Sequence, residues 1–348
     1  MATIDTNETP PVHYRSLGVF FVYLTIVASL ALTCCRTIYV RYQARKKNND
    51  WNSPKARSHA ILFIFLTALT LGITWFYMIS LFFHSYHEWT LSPTGLAWSA
   101  VDMPITTRMG LWLKETYLFQ EAWETVVETP KRFWWSGQIF GWCIGWGLFL
   151  GIAGRRYNIP HIWVYMLLGQ LASIAFGANF FFATIAVSPR PNEKDLSFAW
   201  YPAPITELLV IVISFVDTLA VPIFAHKKEF MPILMAPHLL TFVPGMLGPQ
   251  YSARVTKPEG ERTTQRYIVL LQWVAAVAVV LQAYFTYLAV LDIGVDASYA
   301  EIASQLLDAL YAHPACSSVS WDVIMCNIGF LTWAVVHGFD ASKMLGGY

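Results

Sequence analysis

Long apolar stretches separated by short polar, proline-bearing connections organise this chain. Eight of them come close to or exceed the roughly 20 residues a helix needs to cross a hydrocarbon core. They are Leu17–Tyr39, His59–Phe83, Ser136–Ala153, Pro160–Val187, Pro204–Ala225, Met231–Leu247, Tyr267–Leu291 and Val319–Phe339. The pattern predicts an all-α, polytopic membrane bundle that forms a single domain over residues 1–348. The sixth stretch contains Pro232, Pro237 and Pro244, with Pro249 just beyond it. Proline removes a backbone donor and clashes with the preceding turn, so this segment is either a broken crossing or a re-entrant one. Seven and eight crossings both stand.

Between the second and third stretches, Gly110–Glu128 places Trp112, Tyr117, Phe119, Trp123 and Val127 among charges at near-helical spacing. Such a helix either lies in the membrane interface as an aromatic anchor or caps the bundle as a lid. Ser298–Tyr311 is amphipathic in the same way and carries the same two readings.

With 56% hydrophobic, 16% aromatic and only 13% charged residues, and a mean hydropathy of +0.45, the composition excludes a soluble globular class and a disordered one. The first apolar run lacks a clustered basic flank and is too long for a cleavable leader, so it is expected to serve as the targeting signal, the endoplasmic reticulum being the natural destination. Arg36, Arg41, Arg45, Lys46, Lys47, Lys55 and Arg57 crowd the segment after it, while Asp5 and Glu8 precede it. Basic loops stay cytoplasmic, which places the amino terminus in the lumen. Eight crossings would put Arg254, Lys257, Arg262 and Arg266 on the lumenal side and the acidic 292–308 loop on the cytoplasmic side, against that bias. A re-entrant sixth segment repairs both signs. Asn7-Glu8-Thr9 has the spacing of a glycosylation acceptor, although Pro10 makes it a poor one. Cys34, Cys35, Cys143, Cys316 and Cys326 show no metal-ligand spacing and read as small buried hydrophobes.

Several chemistries lack their residues. Neither of the last two stretches holds a lysine for a retinal Schiff base. His84-Ser-Tyr-His87 stands alone rather than as one of several iron-binding histidine boxes. There is no Asp-Asp-x-x-Asp cluster for a magnesium diphosphate, no phosphate-binding glycine loop and no Gly-x-Ser-x-Gly elbow. No cofactor, metal or nucleic-acid partner is expected.

What remains is a set of isolated polar groups inside the spans: Gln170, Asn179, Glu207, Ser214, Asp217, His238, Asp322 and Asn327. An acid at membrane depth costs a few kcal/mol unless it pairs, stays protonated or faces a cavity, so the stretch holding Glu207 and Asp217 is the first place to look for function. Helical pitch separates these two by roughly 15 Å along the axis and about 80° around it, which rules out a shared-proton dyad. A carboxyl in apolar surroundings keeps its proton near neutral pH and is a ready general acid; the alternative for each is a structural hydrogen bond to a neighbouring helix. Asp322, near the start of its span, also reads as a helix-entry acid. Trp200 and Tyr201 precede the Glu207 helix, where they either line a reaction chamber and stabilise positive charge or form an interfacial belt.

In length, number of spans and aromatic content, and in the stretches Trp200-Tyr-Pro-Ala-Pro-Ile-Thr-Glu207, Asp217 and the proline-broken Met231–Pro244, the chain resembles the fungal membrane-bound terpene cyclases of ascofuranone and indole-diterpene (meroterpenoid) pathways. That resemblance implies a lipophilic prenylated aromatic or indole substrate, an acid-initiated cationic ring closure without metal or cofactor, and a prenyltransferase and an epoxidase upstream. It makes Asp217, Glu207 and Asp322 the candidate proton donors and Trp200, Tyr201, Asn179 and His238 the candidate substrate contacts. The rival reading is a proton-coupled carrier of a small lipophilic molecule, whose buried acids relay protons. A closed aromatic pocket opening sideways to lipid favours the first reading; a polar path reaching both faces favours the second.

Overall fold

The computed structural model describes residues 12–47, 51, 54–99, 102–189, 198–200, 204–243, 252–254 and 257–346. Asn7 and Tyr201 lie outside them, and of Trp200 only the backbone is described. Among the described residues the regular structure is helical apart from one short strand pair. In chain order it comprises α1 (Tyr14–Lys47), α2 (Pro54–Leu91), α3 (Pro93–Ser99), α4 (Ile105–Glu115), α5 (Leu118–Val127), α6 (Pro130–Ser136), α7 (Gln138–Arg156), α8 (Ile162–Leu171), α9 (Ile174–Val187), β1 (Phe198–Trp200), α10 (Pro204–Ala220), α11 (Phe230–Leu240), β2 (Ser252–Arg254), α12 (Lys257–Ile293), α13 (Tyr299–Tyr311), α14 (Pro314–Val336) and α15 (Ala341–Met344). Proline opens α2, α3, α6, α10 and α14, a position where its missing donor costs nothing.

Among the described residues six helical segments are long and apolar enough to cross a membrane: Tyr14–Lys47, Pro54–Leu91, Pro130–Arg156, Glu207–Phe224, Thr264–Ile293 and Pro314–Val336. They present large apolar side chains outward, among them Phe21, Leu32, Phe65, Phe76, Val216, Trp273 and Val280, as lipid-facing surfaces do. The chain is a multi-pass helical membrane protein.

The stretch 160–187, which length alone reads as one span, is instead a helical hairpin. Tyr165 in α8 reaches Thr184 in α9 with its hydroxyl (2.9 Å) and packs edge-on against Phe181 (5.3 Å). Nearer the turn, a Cβ on Gly177 would lie 2.7 Å from the Tyr165 carbonyl oxygen and 3.0 Å from the Gly169 backbone, so the two helices touch main chain to main chain. Ser173 turns the chain in an extended conformation and caps α9, accepting from the Phe176 N–H. Arg41 and Arg45 of α1 donate to the Asn158 and Ala186 carbonyls, fixing both legs of the hairpin at one end of the bundle. Its tip points inward.

Met231–Leu247 likewise departs from a regular span. α11 tolerates Pro237 and is capped at Thr241, near the level of the hairpin tip, where the Thr241 hydroxyl meets Cys143 Sγ (3.4 Å). β2 then pairs antiparallel with β1 in the register Phe198↔Arg254, Ala199↔Ala253, Trp200↔Ser252. The chain therefore returns to the end at which α10 began.

This arrangement also sets which groups share an end of the bundle. Because the fourth stretch folds back, Glu207 lies at the end occupied by Arg155 and Arg156 rather than opposite to it, and the turn holding Lys227 and Lys228 lies at the far end, where His226 meets Glu124 (3.2 Å). Both Glu207 carboxylate oxygens accept from the Tyr267 hydroxyl, at 2.9 and 3.1 Å, tying α10 to α12. Hydrogen bonds to a charged acceptor are worth about 1.5–3 kcal/mol. Tyr267→Phe is thus expected to lower unfolding free energy by about 2 kcal/mol, whereas Glu207→Gln, which keeps an acceptor, loses less than about 1 kcal/mol. Denaturant unfolding in detergent distinguishes the two.

Gly110–Glu128 is two helices, α4 and α5, broken at Thr116, whose N–H closes on the Trp112 carbonyl. Val126 and Val127 are buried, Phe119 packs on Tyr23 and Trp123 on Phe140, so α5 caps the bundle, as the lid reading requires. α13 begins where expected, with Ser298 accepting from the Glu301 N–H.

Candidate functional sites in the bundle

Asp322 of α14 is the centre of the interior. Its Oδ1 accepts from Ser173 Oγ (2.8 Å) and the Ala175 N–H (2.7 Å), and its Oδ2 from the Ile174 N–H (2.9 Å). Cys326, one turn on, directs its thiol at Oδ1 (3.9 Å). The carboxyl therefore caps the inward-pointing amino terminus of α9 from another helix, where the helix dipole favours negative charge. Expected as an acid at the entry of its own helix, Asp322 serves the entry of a different one.

Beside it lies a cavity of about 130 Å³, lined by Asp322, Ser173, Gln170, His238, Trp123 and Tyr23 together with apolar neighbours. His238 Nδ1 is 2.8 Å from the Leu234 carbonyl, which can only accept, so this nitrogen carries the proton in the neutral ring and Nε2 is the basic atom. Gln170 donates to Cys143 Sγ (2.9 Å), and its side-chain carbonyl oxygen is buried without a partner among the described residues. Above this cavity, toward α4 and α5, a second of about 280 Å³ is lined by His84, Ser85, Glu88, Glu121 and His313 among others, and it shares Leu81 and Ala122 with the first. Polar space thus leads from the α5 end toward Asp322.

His313 in this vestibule caps α14, its Nδ1 accepting from the Ala315 N–H (3.1 Å), and its ring meets that of His84 edge-on at 4.5 Å. Burial, then His84 and Arg132, push its pKa down to about 4, against a partial pull from Glu88 and Glu128. An unfolded histidine binds its proton near 6.5, so the unfolded state takes up more protons between these values and stability must fall as pH drops from about 6.5 to about 4. His313→Asn keeps a capping acceptor and removes the titration. The pH-dependent loss of the unfolding midpoint is expected to shrink in this variant, measured by thermal scans across that window.

A third cavity, about 370 Å³, lies on the other side of the Asp322 wall. Trp142, Trp146, Phe149, Phe182, Phe215, Phe285 and Phe330 line it, and Ile174 and Cys326 connect it to the capped helix start. Val279 and Phe330 at its rim are exposed on the outer surface, so the chamber opens sideways. Gly137, which precedes α7, and Gly141 and Gly145 within it form one wall, where a Cβ on Gly141 would approach Ala278 of α12 to 3.3 Å.

The structure brings Asp322 and His238 together and leaves Glu207, Asp217 and Asn179 apart from them. Glu207 is engaged with Tyr267 and lines none of the three cavities. Asp217 is half-buried, its Oδ2 has no partner among the described residues, and it too lines none of them. Asn179 is a packing pin: its amide donates to Thr70 (3.1 Å), and Gly329 of α14 comes so close that a Cβ there would stand 2.3 Å from Asn179 Oδ1. The chamber aromatics were missed by sequence reasoning, although glycines at 137, 141 and 145 interleaved with Trp142, Trp146 and Phe149 spell a close-packed helix face beside an aromatic one. Among the described residues no cluster of three or more His, Cys, Asp or Glu is placed to hold a metal.

No family model, no curated protein and no solved structure matches this chain.

Proposed function

We propose that the protein is a membrane-bound, acid-initiated cyclase of a prenylated aromatic or indole substrate, as the resemblance to meroterpenoid terpene cyclases implies. The observation that carries this reading is the aromatic chamber, open toward lipid at Val279 and Phe330 and separated from a small polar cavity only by the wall containing Asp322, Ile174 and Cys326. A lipophilic ligand enters such a chamber from the bilayer, and aromatic faces stabilise a cation without supplying a lone pair to quench it. Asp322 Oδ2 accepts one hydrogen bond, which leaves a lone pair that can carry a proton. Transfer of that proton to an epoxide oxygen opens a C–O bond; a neighbouring double bond supplies electrons to the carbon, and the final cation ends by losing a proton. His238 Nε2 is the basic atom facing the adjoining cavity. Glu207 is taken up by its tie to Tyr267, and Asp217 lines none of the three cavities.

Seven passages fit the charges best: the six long helices plus the broken α11 segment, with the α8–α9 hairpin re-entrant. Arg41, Arg45, Arg155, Arg156 and Arg254 then share the cytoplasmic end, while Glu121, Glu124, Asp292 and Glu301 are lumenal together with the amino terminus. The endoplasmic reticulum is the corresponding membrane.

The test is conversion of an epoxidised farnesyl phenol in yeast microsomes, followed by mass spectrometry. Asp322→Asn, recovered as a folded monodisperse protein, is expected to lose about a hundredfold or more in product, with Glu207→Gln and Asp217→Asn within a few-fold of the parent. Absence of product from folded parent protein with several such epoxides overturns the reading. A proton-coupled carrier then gains, favoured by one feature: the hairpin tip and the broken α11 meet inside the bundle, where Gln170 Nε2 lies 3.4 Å from the Thr241 hydroxyl, as interrupted helices do in transporters.

A further inference from the structure

The mouth of the aromatic chamber holds two glutamines that its hydrocarbon lining does not explain. Gln138 opens α7 and Gln282 lies on the facing side of α12, within a candidate membrane span. Both donate through Nε2 to one acceptor, the Trp134 carbonyl, at 2.9 and 3.2 Å. Trp134 is itself held: its indole N–H donates to Thr286 Oγ1 (2.9 Å), and that hydroxyl donates to the main-chain carbonyl of Gln282 (2.7 Å). Each glutamine side chain is therefore fixed by its amide nitrogen, with its Oε1 left without a hydrogen-bond partner among the described residues. Also at the rim, one turn from Phe330, Asn327 repeats the pattern, its Nδ2 donating to the Val323 carbonyl (2.9 Å). Three side-chain amides thus line an otherwise apolar space, each tethered through its donor end.

Polar groups at membrane depth are costly unless matched, and an acceptor held in an apolar chamber is matched by a donor that arrives with the ligand. We propose that Gln138 and Gln282 recognise a hydrogen-bond donor, a hydroxyl or ring N–H, on the head of an otherwise hydrocarbon ligand. The head is held at the mouth of the chamber and the chain runs inward between α7 and α12. The proposal builds on the chamber being the ligand site, and it requires no chemistry there. The geometry also discriminates: a ligand whose donor is capped by a methyl group leaves both glutamine oxygens unmatched, a penalty of about tenfold in affinity for a single lost hydrogen bond.

The experiment is a binding titration of the purified full chain in lipid nanodiscs with farnesol and with farnesyl methyl ether, read by the fluorescence of Trp142 and Trp146, which line the chamber. Farnesol is expected to bind about tenfold tighter than the ether. In Gln138→Leu/Gln282→Leu the two affinities are expected to converge, through loss of farnesol affinity alone. Because that variant also cuts the Trp134 tether, Ala275→Trp provides a second measurement: it fills the chamber while leaving the glutamines in place, and both ligands are expected to lose saturable binding. Equal affinities in the parent, a preference that survives in the double variant, or undiminished binding to Ala275→Trp each overturn the proposal. Failure of the cyclase reading alone leaves the alcohol-to-ether ratio unchanged.

Discussion

Asp322→Leu is expected to cost on the order of 5 kcal/mol, enough to prevent accumulation of folded protein. Leucine fits the volume but leaves the Ser173 hydroxyl and the Ile174 and Ala175 N–H groups without their acceptor, in a place water reaches only through small cavities. Each such loss is worth about 1–3 kcal/mol, more when the acceptor carried charge. Asp322→Asn retains one acceptor and sets an amide against the Ile174 N–H, so its cost is expected to be about half as large. Thermal unfolding in detergent, followed by tryptophan fluorescence, measures both. A midpoint for the leucine variant equal to that of the parent would remove the capping role and, with it, the account of why the hairpin tip sits inside the bundle.

Gly177→Ala is expected to be strongly destabilising, at about 3 kcal/mol. The atoms a Cβ would meet are all main chain: the Tyr165 carbonyl oxygen at 2.7 Å and Gly169 Cα and N at 3.0 Å. Side chains can swing aside; two backbones in contact must separate. Separation stretches the Tyr165 to Thr184 hydrogen bond and opens the α1 anchors on both legs. At Gly18 and Gly72, by contrast, an added Cβ meets nothing within 4 Å, and alanine there is expected to be neutral or slightly stabilising. The three variants, unfolded side by side, form an internally controlled series.

Hydrophobic length alone made most of the architecture legible, because a helix in lipid must satisfy its own backbone and needs a fixed number of apolar residues to do so. Length could not distinguish a span from a hairpin in residues 160–187. Ala172 and Ser173 are ordinary helix residues, and the turn between them depends on a carboxylate supplied about 150 residues later in the chain. Local sequence cannot report so distant a partner. The same blindness affected the acids. Glu207 and Asp217 stood out because they interrupt an apolar run, yet the acid between the cavities is the one that sequence reads as a common helix-entry residue. Only α11 gave fair warning, its prolines marking a short helix that the structure caps at Thr241.

The dependence of α9 on Asp322 has a consequence for how the protein is made. The hairpin leaves the ribosome well before α14, and until that last span is inserted Ser173, Ile174 and Ala175 have no acceptor for their donors. A nascent chain therefore carries an unfinished polar tip in the membrane throughout synthesis of its second half. A chain that stops before residue 322 presents an uncapped hairpin, whereas one that includes α14 carries the acceptor that covers it.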